Sequence, residues 1–524
     1  APSLGLNPST VEPGGQTPDE VRKGVGPSRR NPSRGLRNRT REIVEPGRQR
    51  RIVTAGLVLA MFLAALEATA VGTAMPTVVA DLGGVSRYSW VFSAYLLAAT
   101  TTVPMYGKLA DLFGRRLIFT VAIALFILGS ALCGIATSFN QLIVYRTIQG
   151  LGAGGVMPIS ITLVGDIYTL EERGRMQGVF SAVWATSSLV GPAAGGLITD
   201  FLSWRWVFYL NIPFGLAAVV LVRAFLREEG ERREHSLDYL GTFSLTASVA
   251  VLLLALLEGP ELWGWSDPRT LGMILFSLLG LIFFIWQENR APEPMLPLEL
   301  FKIRVIAVAS LGGLLMGTLM YCAAAFVPMF TQGVLGGTAT DAGITLAPMS
   351  IGWPIASTTS GWLIMRFGYR PFIVLGSALG ILGSVLLAMA DPASGRVPVM
   401  VAMFFLGLGL GFTSTPYLLA VQNAVPWNRR GVATSSVQFF RSIGGAIAVA
   451  AFGAVLNAEL ATKVGRDVDP NVALNPSLRS TFPAELLRPL VEALDSGLGS
   501  IYLAMGGMAL AALLVSFFFP GGSA

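Results

Sequence analysis

Three charged residues stand inside runs that are otherwise apolar: Glu67 in FLAALEATAVG (62–72), Arg146 in IVYRTIQG (143–150) and Arg441 in FFRSIGG (439–445). A charged side chain at the centre of a membrane span costs about 2.5–3.5 kcal/mol on insertion scales, so an intramembrane acid marks function by default. The chemistry open to it is proton exchange. Burial favours the neutral acid and a nearby cation favours the carboxylate, so a conformational change that alters either one loads or releases a proton.

These residues must be positioned by membrane helices. The chain has 524 residues, 53% hydrophobic and 13% charged, against about 25% charged in a soluble domain, and its mean hydropathy is +0.63. A hydrocarbon core of about 30 Å needs about 20 apolar residues per helix, and lipid admits only helices or closed barrels. The apolar runs are long and uninterrupted, which selects helices. Fourteen spans are expected at 52–76, 90–106, 117–137, 141–165, 175–198, 205–224, 237–257, 270–287, 305–330, 341–364, 372–390, 397–421, 431–456 and 499–519. Cytoplasmic loops retain Lys and Arg. One face, including residues 1–51, carries 27 of these residues and the other 8, with Arg146 and Arg441 inside spans. Both termini are therefore expected in the cytoplasm. The +6 net charge follows from topology and calls for no nucleic acid. Cys133 and Cys322 fall within spans and read as small apolar fillers. The polar, Arg-rich, Pro/Gly-rich segment 1–51 reads as a disordered cytoplasmic tail able to touch anionic lipid, and argues against a signal peptide.

The chain repeats itself. GKLADLFGRR (107–116) and GWLIMRFGYR (361–370) share Gly, Leu, Phe, Gly and Arg at identical spacing, offset by 254; GLGAG (150–154) recurs as GLGLG (407–411), and Arg173-Gly174 as Arg430-Gly431, both offset by 257. Duplicated halves around a central pathway are a transporter architecture. The expected organisation is a tail (1–51), a six-helix bundle (52–224), a charged linker (225–236) holding the lone His235, two inserted helices (237–290), a second six-helix bundle (291–519) and a short tail (520–524). Within the second bundle, an outer loop (457–498) has a short interfacial helix at 483–494.

Depth links the charges. Glu67 lies fifteen residues beyond Ile52, about 22 Å into the membrane, which leaves about 8 Å to the outer edge; Arg146, five residues after Gln141 in an inward-running span, is again about 8 Å deep. Arg441 lies eleven residues past Arg430, about 16 Å in. Whether Arg146 or Arg441 holds the carboxylate, and whether the pair is a proton relay or a static packing device, is open at this level.

These motifs carry a family resemblance. GKLADLFGRR resembles the signature loop of the major facilitator superfamily, YRTIQGLGAGG (145–155) its fourth-helix motif and SLVGPAAGG (188–196) the motif of its antiporters. LEATAVGTAMP (66–76) and WRWVFYLNIPFG (204–215) are similar to the fourteen-span drug:proton antiporters, whose first-helix motif more often has aspartate where this chain has Glu67. The resemblance implies an all-α major facilitator fold and proton-coupled antiport, with Glu67 and Arg146 as the coupling pair. It implies a cytoplasmic gate at Gly107, Asp111, Gly114, Arg115 and Arg116, where the glycines permit close approach and a turn and Met365 replaces the aspartate in the second copy. It also implies an antiport role for Gly191, Pro192, Gly195 and Gly196, which permit a kink and tight helix contact.

No GxxxxGK[ST] loop, His/Cys cluster or Ser/His pair is present, so neither an enzyme, a metal, a cofactor nor ATP as energy source is expected. Cavity candidates are Gln149, Trp184, Asn211, Tyr321, Gln332, Trp353, Gln422, Asn423, Gln438, Phe439 and Arg441; Trp263 and Trp265 read as interfacial anchors. The expected protein is a monomeric multi-pass transporter of a bacterial cell membrane, exporting amphipathic, often cationic, small molecules against protons. A dedicated metabolite, siderophore or lipid exporter is the alternative, and a non-transporting receptor or scaffold fits the retained motifs less well.

Overall fold

The structure, a computed structural model, describes residues 47–168, 170–226, 238–292, 294, 296–390, 392–426, 429–464, 470–474, 479 and 482–521. The tail up to residue 46, the linker from 227 to 237 with His235, and residues 522–524 lie outside the described residues, as do the side chains of Lys108 and Asp111.

Helices α1 (Arg48–Leu82), α2 (Tyr88–Phe113), α3 (Arg115–Gly134), α4 (Phe139–Ile167), α5 (Leu170–Phe201), α6 (Arg205–Tyr209) and α7 (Asn211–Phe225) form one bundle. Pro213 lacks the N–H that would bond the Tyr209 carbonyl, which accounts for the break between α6 and α7. Then come α8 (Tyr239–Leu257), α9 (Gly259–Leu262) and α10 (Pro268–Glu288). The second bundle holds α11 (Arg304–Met329), α12 (Ala339–Phe367), α13 (Arg370–Ala388), α14 (Val397–Asn423), α15 (Arg430–Val464) and α16 (Ala484–Ser516), with a π-helical segment Phe330–Val334 continuing α11. Packing inside the two bundles corresponds pair by pair: α1 on α5 and α11 on α15, α2 on α4 and α12 on α14, α3 on α4 and α13 on α14. Helices α8 and α10 pack on each other, and α8 also touches α2 and α15.

Eleven helical segments among the described residues are long and apolar enough to cross a membrane. Helices α2, α5 and α12 have 26, 32 and 29 residues and match that length, but Gly, Ser, Thr and Pro dilute their hydropathy. Two of them face each other across the bundles, α5 on α12, and α2 faces α15. Their small residues serve contact rather than lipid.

The bundles are joined at the end away from the basic loops. Gln332 Nε2 donates to the Thr73 carbonyl at 2.9 Å, the Tyr88 hydroxyl to the Ala325 carbonyl at 2.5 Å and Ser93 to the Ala446 carbonyl at 2.9 Å. Asp200 accepts from Ala339 N and Thr340 N at 3.1 and 2.7 Å, closing α5 onto the first turn of α12. A single apolar core containing Met75, Phe208, Phe326 and Tyr502 is shared by both bundles here. At the basic end the cores are separate, one around Phe119 and one around Ile373. Space beside Gly107, Gly361 and Gly431 is open there, and Trp362 is 80% exposed.

Three expectations need correction. Residues 483–494 are not a separate interfacial helix: they open α16, because Leu490, Ala493, Leu494 and Leu498 continue one buried stripe into the span. The outer loop 457–498 is shortened accordingly, since α15 runs to Val464 and α16 begins at Ala484. Among its described residues, Arg479 donates to the carbonyls of Gly333 at 2.7 Å, Ala473 at 3.3 Å and Val334 at 3.4 Å. Gly107 meets nothing that demands glycine, whereas Gly114 has φ +98° and does.

The α5–α12 crossing between the bundles is glycine-built. A Cβ on Gly343 would stand 2.2 Å from the Pro192 carbonyl oxygen, and one on Gly196 2.5 Å from that of Ala339. Gly343→Val should therefore force this end apart. Spin labels on Leu202→Cys and Val397→Cys, in a background without Cys133 and Cys322, are expected to shift to longer separations by pulsed EPR. An unchanged distance distribution would contradict the closure described here.

Candidate functional site

Glu67 lies on α1, 2% exposed, and the polar groups around it come from four other elements of the first bundle. Arg146 of α4 forms an ion pair with its Oε1. Asn211, at the start of α7, donates from Nδ2 to its Oε2 at 2.5 Å. The same Asn211 Nδ2 reaches the Ser130 hydroxyl of α3 at 2.9 Å, and Gln149 Nε2 donates to that hydroxyl at 2.6 Å. Gln149 Oε1 accepts from Arg146 at 2.6 Å, and Arg146 Nε points at the Val91 carbonyl of α2 at 3.5 Å. The Tyr95 ring lies 4.1 Å below the guanidinium carbon, a cation–π contact strengthened by desolvation. Charge, amide and hydroxyl thus close a network in which both carboxylate oxygens are engaged.

Local sequence explains why these groups meet. Arg146 and Gln149 are three residues apart and share a face of α4. The glycines that follow bring α4 against its neighbours: a Cβ on Gly150 would lie 2.5 Å from the Tyr95 carbonyl oxygen, and one on Gly152 2.3 Å from Phe126 N. The α6–α7 break puts Asn211 at a helix start, aimed inward and 1% exposed. Cys133 and Cys322 are buried and free, and Cys133 Sγ lies 3.9 Å from Gln149 Oε1.

Of the two cations left open by depth, Arg146 is the one in contact with Glu67. Gln149 and Asn211, read from sequence as cavity lining, belong to the charge network instead. Ser130 and Tyr95 were not singled out; a small polar residue in GSALCG (129–134) is a weak signal, and a tyrosine in an apolar span is none. Arg441 stands apart, its Nε buried and without a hydrogen-bond partner. Tyr321 packs against a small cluster with Leu63, Tyr95 and Ala446, where the two bundles meet beside the site.

Several cavity candidates are elsewhere. Phe439 is packed with Leu97, Leu245 and Phe284, at the junction with the inserted helices. Asn423 donates to the Tyr369 hydroxyl at 2.8 Å and Gln422 to Thr434 at 3.4 Å, both at the basic end. Gln332 belongs to the closed end, bonded by Thr77 at 3.0 Å. Trp353 packs against the shared core. Trp184 is half-buried with Nε1 unpartnered, and Gln438 is half-buried one turn from Arg441. Trp263 and Trp265 are 38% and 44% exposed, with Arg269 over the Trp263 ring.

In the 107–116 segment, Arg115 pairs with Asp166 at the end of α4, and Arg116 bonds the Arg223 carbonyl at the end of α7. Both contacts stay within the first bundle. Gly191 and Gly195 face α1, where Cβ atoms would lie 1.9 Å from Thr69 Oγ1 and 2.5 Å from the Ala70 carbonyl oxygen. With Gly196 and Pro192 against α12, this motif is where α1, α5 and α12 cross. Among the described residues no cluster of three His, Cys, Asp or Glu side chains offers a metal site.

Residues 57–449 match the family model described as Major Facilitator Superfamily. The chain is 39% identical over 438 residues to the multidrug transporter protein MdtP of Bacillus subtilis, covering 84% of this chain and 81% of that protein. It is 34% identical over 485 residues to multidrug resistance protein 3 of the same organism, covering 89% and 94%. A solved bacterial homologue of the human lysosomal transporter Spinster, inward-facing and unoccupied, shares the fold with a TM-score of 0.64 at 14% identity, covering 91% of this chain and 98% of that one. The chain thus belongs to the major facilitator superfamily and is a multi-pass plasma-membrane transporter of small molecules.

Proposed function

We propose that this transporter is a proton-coupled antiporter that exports amphipathic, often cationic, small molecules by alternating access, as a fourteen-span protein with both termini in the cytoplasm. On that reading the basic end is the cytoplasmic end and the conformation is inward-open, with the outer end closed by the α5–α12 crossing and the loop held by Arg479. The names of the two Bacillus relatives, both multidrug proteins, support drug-like small molecules as the cargo.

The observation that carries the reading is the Glu67 site. It is complete within the first bundle, yet Tyr95, stacked on Arg146, belongs to a small apolar cluster against which Tyr321 of the second bundle packs. A rocking motion of the bundles therefore disturbs the packing under the cation. Arg146 and Asn211 favour the charged form against the cost of its burial, and withdrawing either shifts the balance toward the protonated acid. Alternation between these states exchanges one proton per cycle at Glu67, and an inward proton gradient then drives substrate outward.

A static pair predicts otherwise, so Glu67→Gln is decisive. In reconstituted vesicles carrying a pH-sensitive dye, substrate-driven proton flux is expected to fall to the protein-free background in this variant. Normal coupled flux would end the proton-site proposal. If a metabolite, siderophore or lipid drives flux in the wild type and no cationic amphiphile does, the antiporter reading stands and its substrate class changes.

The pair also carries a stability signature. Arg146→Met leaves the carboxylate buried without its cation and should cost about 3–5 kcal/mol if Glu67 stays ionised, read as a lower melting temperature in detergent. Adding Glu67→Gln removes the orphaned charge and should restore part of that stability while flux stays absent. Additive losses in the double variant would count against a direct interaction.

A further inference from the structure

The charges at mid-membrane do not balance. Glu67 and Arg146 neutralise each other, and among the described residues the other charged side chain at this depth in the bundle interiors is Arg441. Its stem is held by a tight helix crossing: a Cβ on Gly317 of α11 would lie 2.1 Å from the Arg441 carbonyl oxygen and 2.9 Å from its Cγ. One turn further along α15, a Cβ on Gly445 would meet the Tyr321 ring at 2.1 Å. Tyr321 of α11 is laid over that glycine, which lies one turn from Arg441 along α15. Arg441 Nε is buried without a partner, yet the residue as a whole is only half-buried. The side chain thus leaves the α11–α15 crossing beside Gly317 of α11, whose next turn carries Tyr321, which packs against the small cluster shared with the first bundle.

Retaining an unpaired guanidinium at this depth is costly and points to a partner that arrives. A guanidinium presents a planar fork of donors that matches a carboxylate bidentately, and Tyr321, one turn away, supplies aromatic surface. We propose that Arg441 and Tyr321 form the half-site for a carboxylate on the transported molecule, so that the carrier takes amphipathic substrates bearing an acidic group beside an aromatic or apolar body. This rests on the exporter reading above and narrows its substrate class: a cationic group on the same molecule remains compatible with the first bundle, but the second selects the acid.

The experiment is equilibrium binding to the purified full-length chain in detergent, where no gradient is needed, using dansyl-phenylalanine and its methyl ester as probes. Wild type is expected to bind the acid at least about tenfold more tightly than the ester, a difference of about 1.4 kcal/mol. Arg441→Gln should bring the two affinities together by weakening the acid alone, and Arg441→Lys, which keeps the charge without the fork, should retain part of the preference. Unchanged ester binding in both variants reports that they are folded. Equal binding of acid and ester by wild type, or an acid preference that survives Arg441→Gln, overturns the proposal. Proton flux measured in parallel separates the two readings: lost flux with preserved acid preference sinks the antiporter and leaves this site, and the reverse sinks this site alone.

Discussion

The carboxylate of Glu67 and the guanidinium of Arg146 are both almost wholly withdrawn from solvent, and that constraint governs the first bundle. A buried pair is tolerated when its remaining donors and acceptors are also satisfied. Meeting that condition draws in five elements: α1 for the acid, α4 for the cation and Gln149, α3 for Ser130, α7 for Asn211 and α2 for the Val91 carbonyl and the Tyr95 ring. The glycines of α4 and the break before Asn211 are the local means by which the backbone approaches closely enough. Polar closure, rather than apolar packing, sets the register of these helices against one another.

The duplicated halves use the same packing scheme for different electrostatics. Helices α1 and α4 carry the opposed charges, whereas α11 and α14 are joined without them and the charge appears on α15. The shared core at one end and the separate cores at the other make the molecule a hinge closed on one side. Helix α8, touching α2 and α15, lines one seam of that hinge, and the α5–α12 crossing lines the other.

Much of this was legible in the sequence, and for physical reasons. Apolar length gives spans, so the helices were readable; repeats give the halves, because duplicated bundles keep their turn glycines. Depth placed Glu67 and Arg146 level, since rise per residue is fixed in a helix, but contact needed helix positions that one dimension does not contain. Asn211 read as cavity lining because its role depends on a break caused two residues later by Pro213. Phe439 read as lining because it is an aromatic within a predicted span, whereas the inserted helices, with no counterpart in the repeat, cover it. The 483–494 helix looked separate because its charged outer face masked a buried stripe continuous with the last span.

The low hydropathy of α2, α5 and α12 has a consequence for how the chain is made. A helix enters the bilayer from the insertion machinery on its own apolar content, and these three are diluted by the small and hydroxylated residues that let the bundles approach. Their retention in the lipid depends on neighbours already present: α5 follows α1, against which its glycines pack, and α12 follows α5. Biogenesis is therefore ordered by the same surfaces that join the bundles, and a substitution that smooths those surfaces for insertion removes the fit between them.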